Sequence, residues 1–89
     1  MQNMAVVKLR ELMLEYSLNQ PQLALRVFIP QNRICEILKQ KRRFSLETDI
    51  KLCKFFNLNF CYFLDLQREY ELELACAKYK KDIDKIISV

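Results

Sequence analysis

Residues 19–43 read NQPQLALRVFIPQNRICEILKQKRR, and they contain the signals for two short helices. Asn19 is a favourable helix N-cap, because its side-chain oxygen can accept a hydrogen bond from a free backbone amide of the first turn. Pro21 suits that first turn, where an amide has no partner in any case. These two signals predict a short helix over about residues 20–27.

Pro30 prevents this helix from continuing, because the residue before a proline is pushed toward extended geometry. A second short helix is predicted to begin at Pro30 or Gln31 and to reach Leu38. Two short helices joined by a tight turn form a helix-turn-helix unit, which we expect over residues 19–38. The apolar residues that would wedge these helices together are Leu23, Ala24, Val27, Ile29, Ile34, Ile37 and Leu38.

Apolar residues recur at helical spacing on both sides of this unit. The pattern predicts one helix over about residues 3–16, another over 46–56, and a long C-terminal helix over about 60–87. No linker, repeat or low-complexity stretch interrupts the sequence. We therefore expect residues 1–89 to form a single domain, an all-α bundle of five helices.

Four features of these helices give specific expectations. Arg10 belongs to the polar outer side of the first helix. Ser45 caps the fourth helix, and Asp49 in its first turn suits the helix dipole, while Asn59 is expected to cap the fifth. The buried side of the fourth helix is expected to consist of Leu46, Ile50, Leu52, Cys53 and Phe56.

The composition excludes several classes of protein. The chain has 89 residues and a net charge of +4, and it contains neither glycine nor histidine. Without glycine, the phosphate-cradling loops of nucleotide-binding proteins are excluded. Without histidine, Ser-His-Asp and Cys-His catalysis and histidine-containing metal sites are excluded as well. We expect a small helical domain that is not an enzyme and uses no cofactor or metal ion.

Four cysteines, Cys35, Cys53, Cys61 and Cys76, are spaced without any CxxC pair. This spacing disfavours a zinc site or a disulfide framework, and it favours free thiols in a reducing cytoplasm. The N-terminal residues do not resemble a signal peptide, and no apolar run approaches the length of a membrane span. The sequence thus predicts a cytoplasmic protein without a membrane partner.

The second helix of the unit carries polar residues between its apolar positions. Among them, Gln31 and Asn32 have amide side chains that can form paired hydrogen bonds with adenine in the major groove. Residues 39–43, here named the basic loop, follow directly and contain four Lys or Arg residues, which suit contacts with phosphates. This order predicts binding to double-stranded DNA, with an ordinary solvated surface as the alternative.

Residues 19–43 resemble the helix-turn-helix of the Xre/Cro family, in which a polar cap precedes a Leu-Ala pair. The chain is most similar to the HigA-type antitoxins, also called virulence-associated protein I. The family motifs RNRISEIL, LARFFG, FWLNLQ and YDL are matched here by NRICEIL (32–38), LCKFFN (52–57), YFLDLQ (62–67) and YEL (70–72). The resemblance covers about residues 5–74 and implies a lambda-repressor-like fold.

The sequence departs from this family at four positions. Phe28, Gln40 and Asn57 stand where relatives place glycine, and Pro30 replaces the Ser or Thr that caps the recognition helix. Asn57 adopts left-handed geometry readily, whereas a bulky residue with positive φ is strained. Phe28 therefore predicts a turn of different shape.

HigA-type antitoxins are dimeric repressors of their own operon. They also neutralise a small basic toxin of the RelE/HigB type, which is a ribosome-dependent messenger-RNA endonuclease. The resemblance implies that the base-reading residues are Gln31, Asn32, Arg33 and Glu36, with a phosphate contact as the alternative for Arg33. It also implies phosphate contacts from Gln20, Lys39, Lys41, Arg42 and Arg43. An ion pair within the helix, to Arg33 or Lys39, is an equal alternative for Glu36.

The C-terminal helix combines an acidic segment with large apolar residues. Residues 65–73 contain four acids and one arginine, so they would attract a basic toxin, with a solvated helix face as the alternative. The apolar residues suggest a homodimer, with predicted contacts from Phe63, Leu66, Tyr70 and Leu74. A coiled-coil seam would continue through Leu72, Cys76, Tyr79, Ile83 and Ile86, unless the tail packs back on the first helix or frays.

Two other functions are compatible with the same sequence. One is a stand-alone repressor of the Xre or phage type without a toxin partner. The other is a helical protein-interaction module whose basic loop has no role in DNA binding. A neighbouring gene for a small basic ribonuclease would favour an antitoxin over a stand-alone repressor. Specific binding to DNA upstream of the chain's own gene would favour a repressor over a protein-interaction module.

Overall fold

The structure is a computed structural model that describes residues 2–89. These residues form six α-helices and no strand: α1 (Met4–Glu15), α2 (Gln20–Val27), α3 (Gln31–Leu38), α4 (Leu46–Phe56), α5 (Tyr62–Lys78) and α6 (Lys80–Lys85). The all-α class is confirmed, and α2 and α3 form the predicted helix-turn-helix unit. None of the helices within the described range has both the length and the apolar character needed to cross a membrane.

Helices α1 to α4 and the first half of α5 surround one hydrophobic core. Leu9 of α1, Leu23 of α2 and Ile34 of α3 are completely buried in it, as are Leu52 of α4 and Phe63 of α5. Each of these side chains removes enough apolar surface from water to stabilise the fold by about 1.5–3 kcal/mol. The core therefore fixes how α3 lies against the rest of the bundle.

The buried side of α4 differs from the expectation. Leu46 and Ile50 are exposed, whereas Thr48 and Asp49 are completely buried. Ser45 is the N-cap, as predicted, and its hydroxyl accepts a hydrogen bond from the Thr48 amide at 3.2 Å. Helical periodicity could not show which side of α4 is buried, because polar residues that bond to another helix resemble solvent-exposed ones in sequence.

Asp49, rather than Asn59, caps the last long helix. Its carboxylate accepts hydrogen bonds from the backbone amides of Phe63 (3.0 Å) and Leu64 (3.1 Å), and also from that of Cys61. Cys61 is the N-cap residue and its own side chain makes no capping bond. The prediction for Asn59 was wrong because a distant carboxylate satisfies the free amides of this helix.

The C-terminal segment forms two helices where a single long one was expected. Tyr79, with φ −104° and ψ 17°, separates α5 from α6, and the chain becomes extended at Ile86. Every residue from 72 to 89 is exposed, and the molecule extends 50 Å along its long axis. The exposure of these residues shows that the tail is not buried against α1, the alternative considered above.

Four helices end in a left-handed residue, although the chain has no glycine. These residues are Ser17, Phe28, Gln40 and Asn57, with φ between 53° and 60°. After Phe28 the amide of Ile29 donates to the carbonyl of Ala24 at 3.2 Å, the six-to-one bond of a Schellman motif. The turn at Phe28 thus keeps the usual left-handed geometry, contrary to the expectation of a different shape.

Replacing Phe28 with glycine should stabilise the protein. A non-glycine residue in the left-handed region costs about 1–2 kcal/mol, and the Phe28 side chain is 83% exposed, so it has little packing to lose. We expect Phe28→Gly to raise the free energy of unfolding by about 1 kcal/mol, measured by urea denaturation. Phe60→Gly is the matched control, because Phe60 is also exposed but lies outside the positive-φ residues. A loss of stability in both variants would contradict this account.

Candidate nucleic-acid interface

Helix α3 presents a polar first turn to solvent. Gln31 and Asn32 are exposed, while Ile34, Ile37 and Leu38 on the opposite side are buried against the core. Pro30 is the N-cap and makes no side-chain capping bond, as expected after the loss of the family's hydroxyl. The two amide side chains therefore lie at a free helix tip, where they can reach an external partner.

The other end of α3 is held by a contact that the sequence did not suggest. Arg10 of α1 donates from Nη2 to the carbonyl oxygen of Leu38 at 2.7 Å, so it does not merely line the outer side of α1. Gln40 follows in the left-handed conformation, and the Lys41 amide donates to the carbonyl of Glu36 at 2.8 Å. Carbonyls at this helix end are thus satisfied, which fixes where the basic loop begins.

The far end of the basic loop is anchored to α5 through Phe44. The side chain of Phe44 is buried and stacks on Phe63, with ring centroids 5.2 Å apart and an angle of 5° between the planes. The buried amide of Gln67 accepts from the Phe44 backbone N–H at 2.7 Å and donates to its carbonyl at 3.1 Å. The loop is therefore fixed at both ends by backbone contacts.

All three predicted DNA-binding arginines form ion pairs within the chain. Arg43 makes two contacts with Glu71, from Nε at 2.6 Å and from Nη2 at 2.9 Å. The other two pairs are longer: Arg42 with Glu36 at 3.6 Å and Arg33 with Glu47 at 3.5 Å.

These pairs change the titration of two carboxyl groups. The hydrogen bond from Arg43 lowers the pKa of Glu71, and the pKa of Arg43 is raised by the same bond. The pKa of Glu47 is lowered mainly by its hydrogen bond with Lys51, to which it is also paired at 2.7 Å. Both carboxylates are charged at neutral pH, so they oppose the positive field of the arginines beside them.

The remaining predicted site residues differ in their exposure and in their ion pairing. Glu36 is half-buried and pairs with Arg42 of the loop, rather than with either of the partners considered on its own helix. Gln20 is half-buried at the first position of α2. Lys39 and Lys41 are exposed and form no ion pair with any residue in the range 2–89. The Arg42–Glu36 pair brings the loop back against α3, so α3 and the loop form one continuous surface.

The predicted dimer contacts divide into buried and accessible residues. Phe63 is completely buried, so this assignment was wrong: its ring stacks on Phe44 and is covered by its own chain. Leu66 and Tyr70 are half-buried, and Leu74 is 46% exposed. These three side chains remain available on α5 for contact with another molecule.

Four residues that shape this surface were missed or misplaced by sequence reasoning: Arg10, Asp49, Gln67 and Glu71. Each acts over a long sequence separation, as in the 28 residues between Arg43 and Glu71. One signal was present in the sequence, since Phe63, Gln67 and Glu71 follow each other at intervals of four and therefore share one helix face. That face is the one that α5 turns toward the basic loop.

Helices α2 and α3 pack against the core, the polar tip of α3 is exposed, and the basic loop is anchored at both ends. This arrangement defines the chain as a helix-turn-helix protein. Solved structures share the architecture. An addiction-module antidote protein of a HigA family from Coxiella burnetii is 30% identical, with a TM-score of 0.83, covering 96% of this chain and 92% of its own. The chain belongs to the HigA family of antitoxins.

Two further structures come from Pseudomonas aeruginosa. The antitoxin HigA with the higBA promoter is 26% identical, with a TM-score of 0.84, and the match covers 94% of this chain and 92% of that one. A protein in complex with its 18-base-pair operator DNA is 25% identical, with a TM-score of 0.88 and coverage of 96% and 94%. A scan against protein-family models gave no match, and neither did a search of curated proteins.

Proposed function

We propose that this chain is a cytoplasmic antitoxin that binds the operator of its own operon and represses it. The observation that carries this proposal is the exposed tip of α3, with Gln31 and Asn32, beside a basic loop whose two ends are anchored. Fixed backbone geometry lets side chains meet base edges and phosphates without a large ordering cost. The chain acts by binding and has no enzymatic activity of its own.

Different parts of the surface serve affinity and specificity. Gln31 and Asn32 read bases, because they are exposed and their amides match the edge of adenine. Arg33 follows Asn32 directly and Glu36 lies slightly more than one turn beyond Asn32, and both assist once their ion pairs rearrange. The phosphate contacts come from Gln20 at the start of α2 and from the loop residues Lys39, Lys41, Arg42 and Arg43.

Substitutions in the two groups should affect DNA binding differently. Arg42→Ala with Arg43→Ala should weaken binding to every duplex and reduce the slope of log K against log salt by about 1 for each arginine that contacts a phosphate. Gln31→Ala or Asn32→Ala should cost about 1–3 kcal/mol, mainly on the true operator. Fluorescence anisotropy with DNA from upstream of the gene and a scrambled duplex, at several salt concentrations, measures both effects.

The control for the arginine pair is Lys81→Ala with Lys85→Ala, which removes the same charge from exposed positions of α6. It should leave the salt dependence nearly unchanged. If the unaltered chain binds the upstream DNA no better than the scrambled duplex at physiological salt, the repressor function is wrong. An equal loss on both duplexes for Gln31→Ala would remove Gln31 from the base-reading group.

We further propose that the chain is a homodimer through the exposed side of α5. Leu66, Tyr70 and Leu74 provide an apolar surface there, and the exposed residues beyond Leu72 extend it. A two-fold symmetric dimer would place two α3 helices on half-sites about one turn of DNA apart. This arrangement predicts a palindromic operator.

Leu74→Arg should therefore shift the chain from dimer to monomer, because it buries a charge in an apolar contact. Leu14→Arg is the matched control, since Leu14 is an exposed leucine on α1, away from the proposed surface. Sedimentation velocity at micromolar concentration distinguishes the species. Only monomer in the unaltered chain at that concentration would contradict the dimer.

We also propose that the chain binds a toxin partner of the RelE/HigB type, which is a messenger-RNA endonuclease. Residues 65–73 of α5 carry Asp65, Glu69, Glu71 and Glu73 against Arg68, and all of them are at least partly exposed. A basic ribonuclease would be attracted to this acidic segment by long-range electrostatics. The proposal thus assigns α5 to the protein partner and α3 to DNA.

A tagged chain purified from its native host should carry a small basic protein that cleaves messenger RNA once it is released. Reversing two charges with Glu69→Lys and Glu73→Lys should reduce its recovery at least about tenfold, because complementary charges become like charges. Glu11→Lys with Glu15→Lys is the control on α1, where both acids are exposed. Operator binding without any co-purifying ribonuclease would support a stand-alone repressor instead.

A further inference from the structure

The ion pair between Arg43 and Glu71 joins the basic loop to α5 by two contacts. The Nε and Nη2 atoms of Arg43 lie 2.6 and 2.9 Å from the two carboxylate oxygens of Glu71. This two-pronged geometry is the same one in which arginine binds a phosphate group. A carboxylate and a DNA phosphate would therefore use the same two N–H groups of Arg43.

We infer that Glu71 competes with DNA phosphate for Arg43 and so limits the affinity of this chain for DNA. The inference rests on the proposed DNA-binding function. Glu71 is a positioning residue in this scheme, since it acts through Arg43 and touches no DNA itself. Both side chains keep access to solvent, with Arg43 68% and Glu71 40% exposed, so a phosphate can reach the arginine and displace the carboxylate.

Arg43 is the cation of the basic loop with the strongest internal partner. Arg42 has a single longer contact with Glu36 at 3.6 Å, and neither Lys39 nor Lys41 pairs with any acid in the described part of the chain. Because Phe44 directly after Arg43 is fixed by Gln67, the backbone of the loop end stays in place. The competition is therefore a movement of one side chain between two acceptors.

The position of Glu71 connects the two proposed partners of this chain. Glu71 belongs to the acidic segment of α5, and together with Tyr70 and Leu74 it lines a groove of about 290 Å³ beside Arg42 and Arg43. A basic protein that paired with Glu71 would release Arg43 to DNA, as removal of the charge does. Protein binding on α5 would then strengthen DNA binding by linkage.

The test compares Glu71→Gln with Glu73→Gln, using anisotropy on the upstream and scrambled duplexes. Both variants remove one negative charge from α5, but Glu73 is exposed and unpaired within residues 2–89. For Glu71→Gln we expect affinity at low salt to rise by at least about threefold on both duplexes. The slope of log K against log salt should steepen by up to about 0.9, the value for one full phosphate contact, because Glu71 no longer occupies Arg43 for part of the time. Glu73→Gln should change the affinity and the slope by less than Glu71→Gln does.

A second pair of variants tests whether the effect passes through Arg43. In an Arg43→Gln background, adding Glu71→Gln should give no further increase, which is the non-additivity expected of two residues in direct contact. Equal effects of Glu71→Gln and Glu73→Gln, or weaker binding by Glu71→Gln, would overturn the inference while the proposed function stands. Failure of the unaltered chain to bind either duplex would overturn both.

Discussion

The buried carboxylate of Asp49 positions the half of this structure that is proposed to face DNA. It lies on α4 and accepts hydrogen bonds from three backbone amides at the beginning of α5. A buried carboxylate is tolerated only when its oxygens are satisfied, and free amides at a helix start are the partners that the helix dipole favours. Because the bonds are to backbone atoms, they set both the position and the rotation of α5.

That rotation determines what α5 offers to the basic loop. Phe63 stacks on Phe44, Gln67 binds the backbone of Phe44, and one turn later Glu71 pairs with Arg43. The three residues lie four apart and therefore share one helix face. This face fixes the end of the loop through Phe63 and Gln67, and it pairs the charge of Arg43 through Glu71. The surface proposed to meet DNA, on α3 and the basic loop, is therefore positioned by the same helix that carries the surface proposed to meet protein.

Local signals in the sequence were sufficient for the helix-turn-helix unit. The cap at Asn19, the break at Pro30 and the apolar spacing gave α2 and α3 within one residue, since all of these act over four or five positions. The features that failed depend on distant contacts. Asp49 resembled an ordinary first-turn acid, and Phe63 resembled a surface contact, because periodicity shows that a residue is placed on a face without showing what covers that face.

The absence of glycine makes the support around α3 more important. Phe28 and Gln40, on either side of this helix, both take left-handed geometry, which costs about 1–2 kcal/mol for a residue with a Cβ atom. Each turn has a contact from another helix. Lys51 of α4 donates to the carbonyl of Phe28 at 3.0 Å, and Arg10 of α1 donates to that of Leu38 just before Gln40. The orientation of α3 is thus held by contacts from α1 and α4. A glycine at position 28 or 40 would instead have relieved the backbone strain at the turn itself.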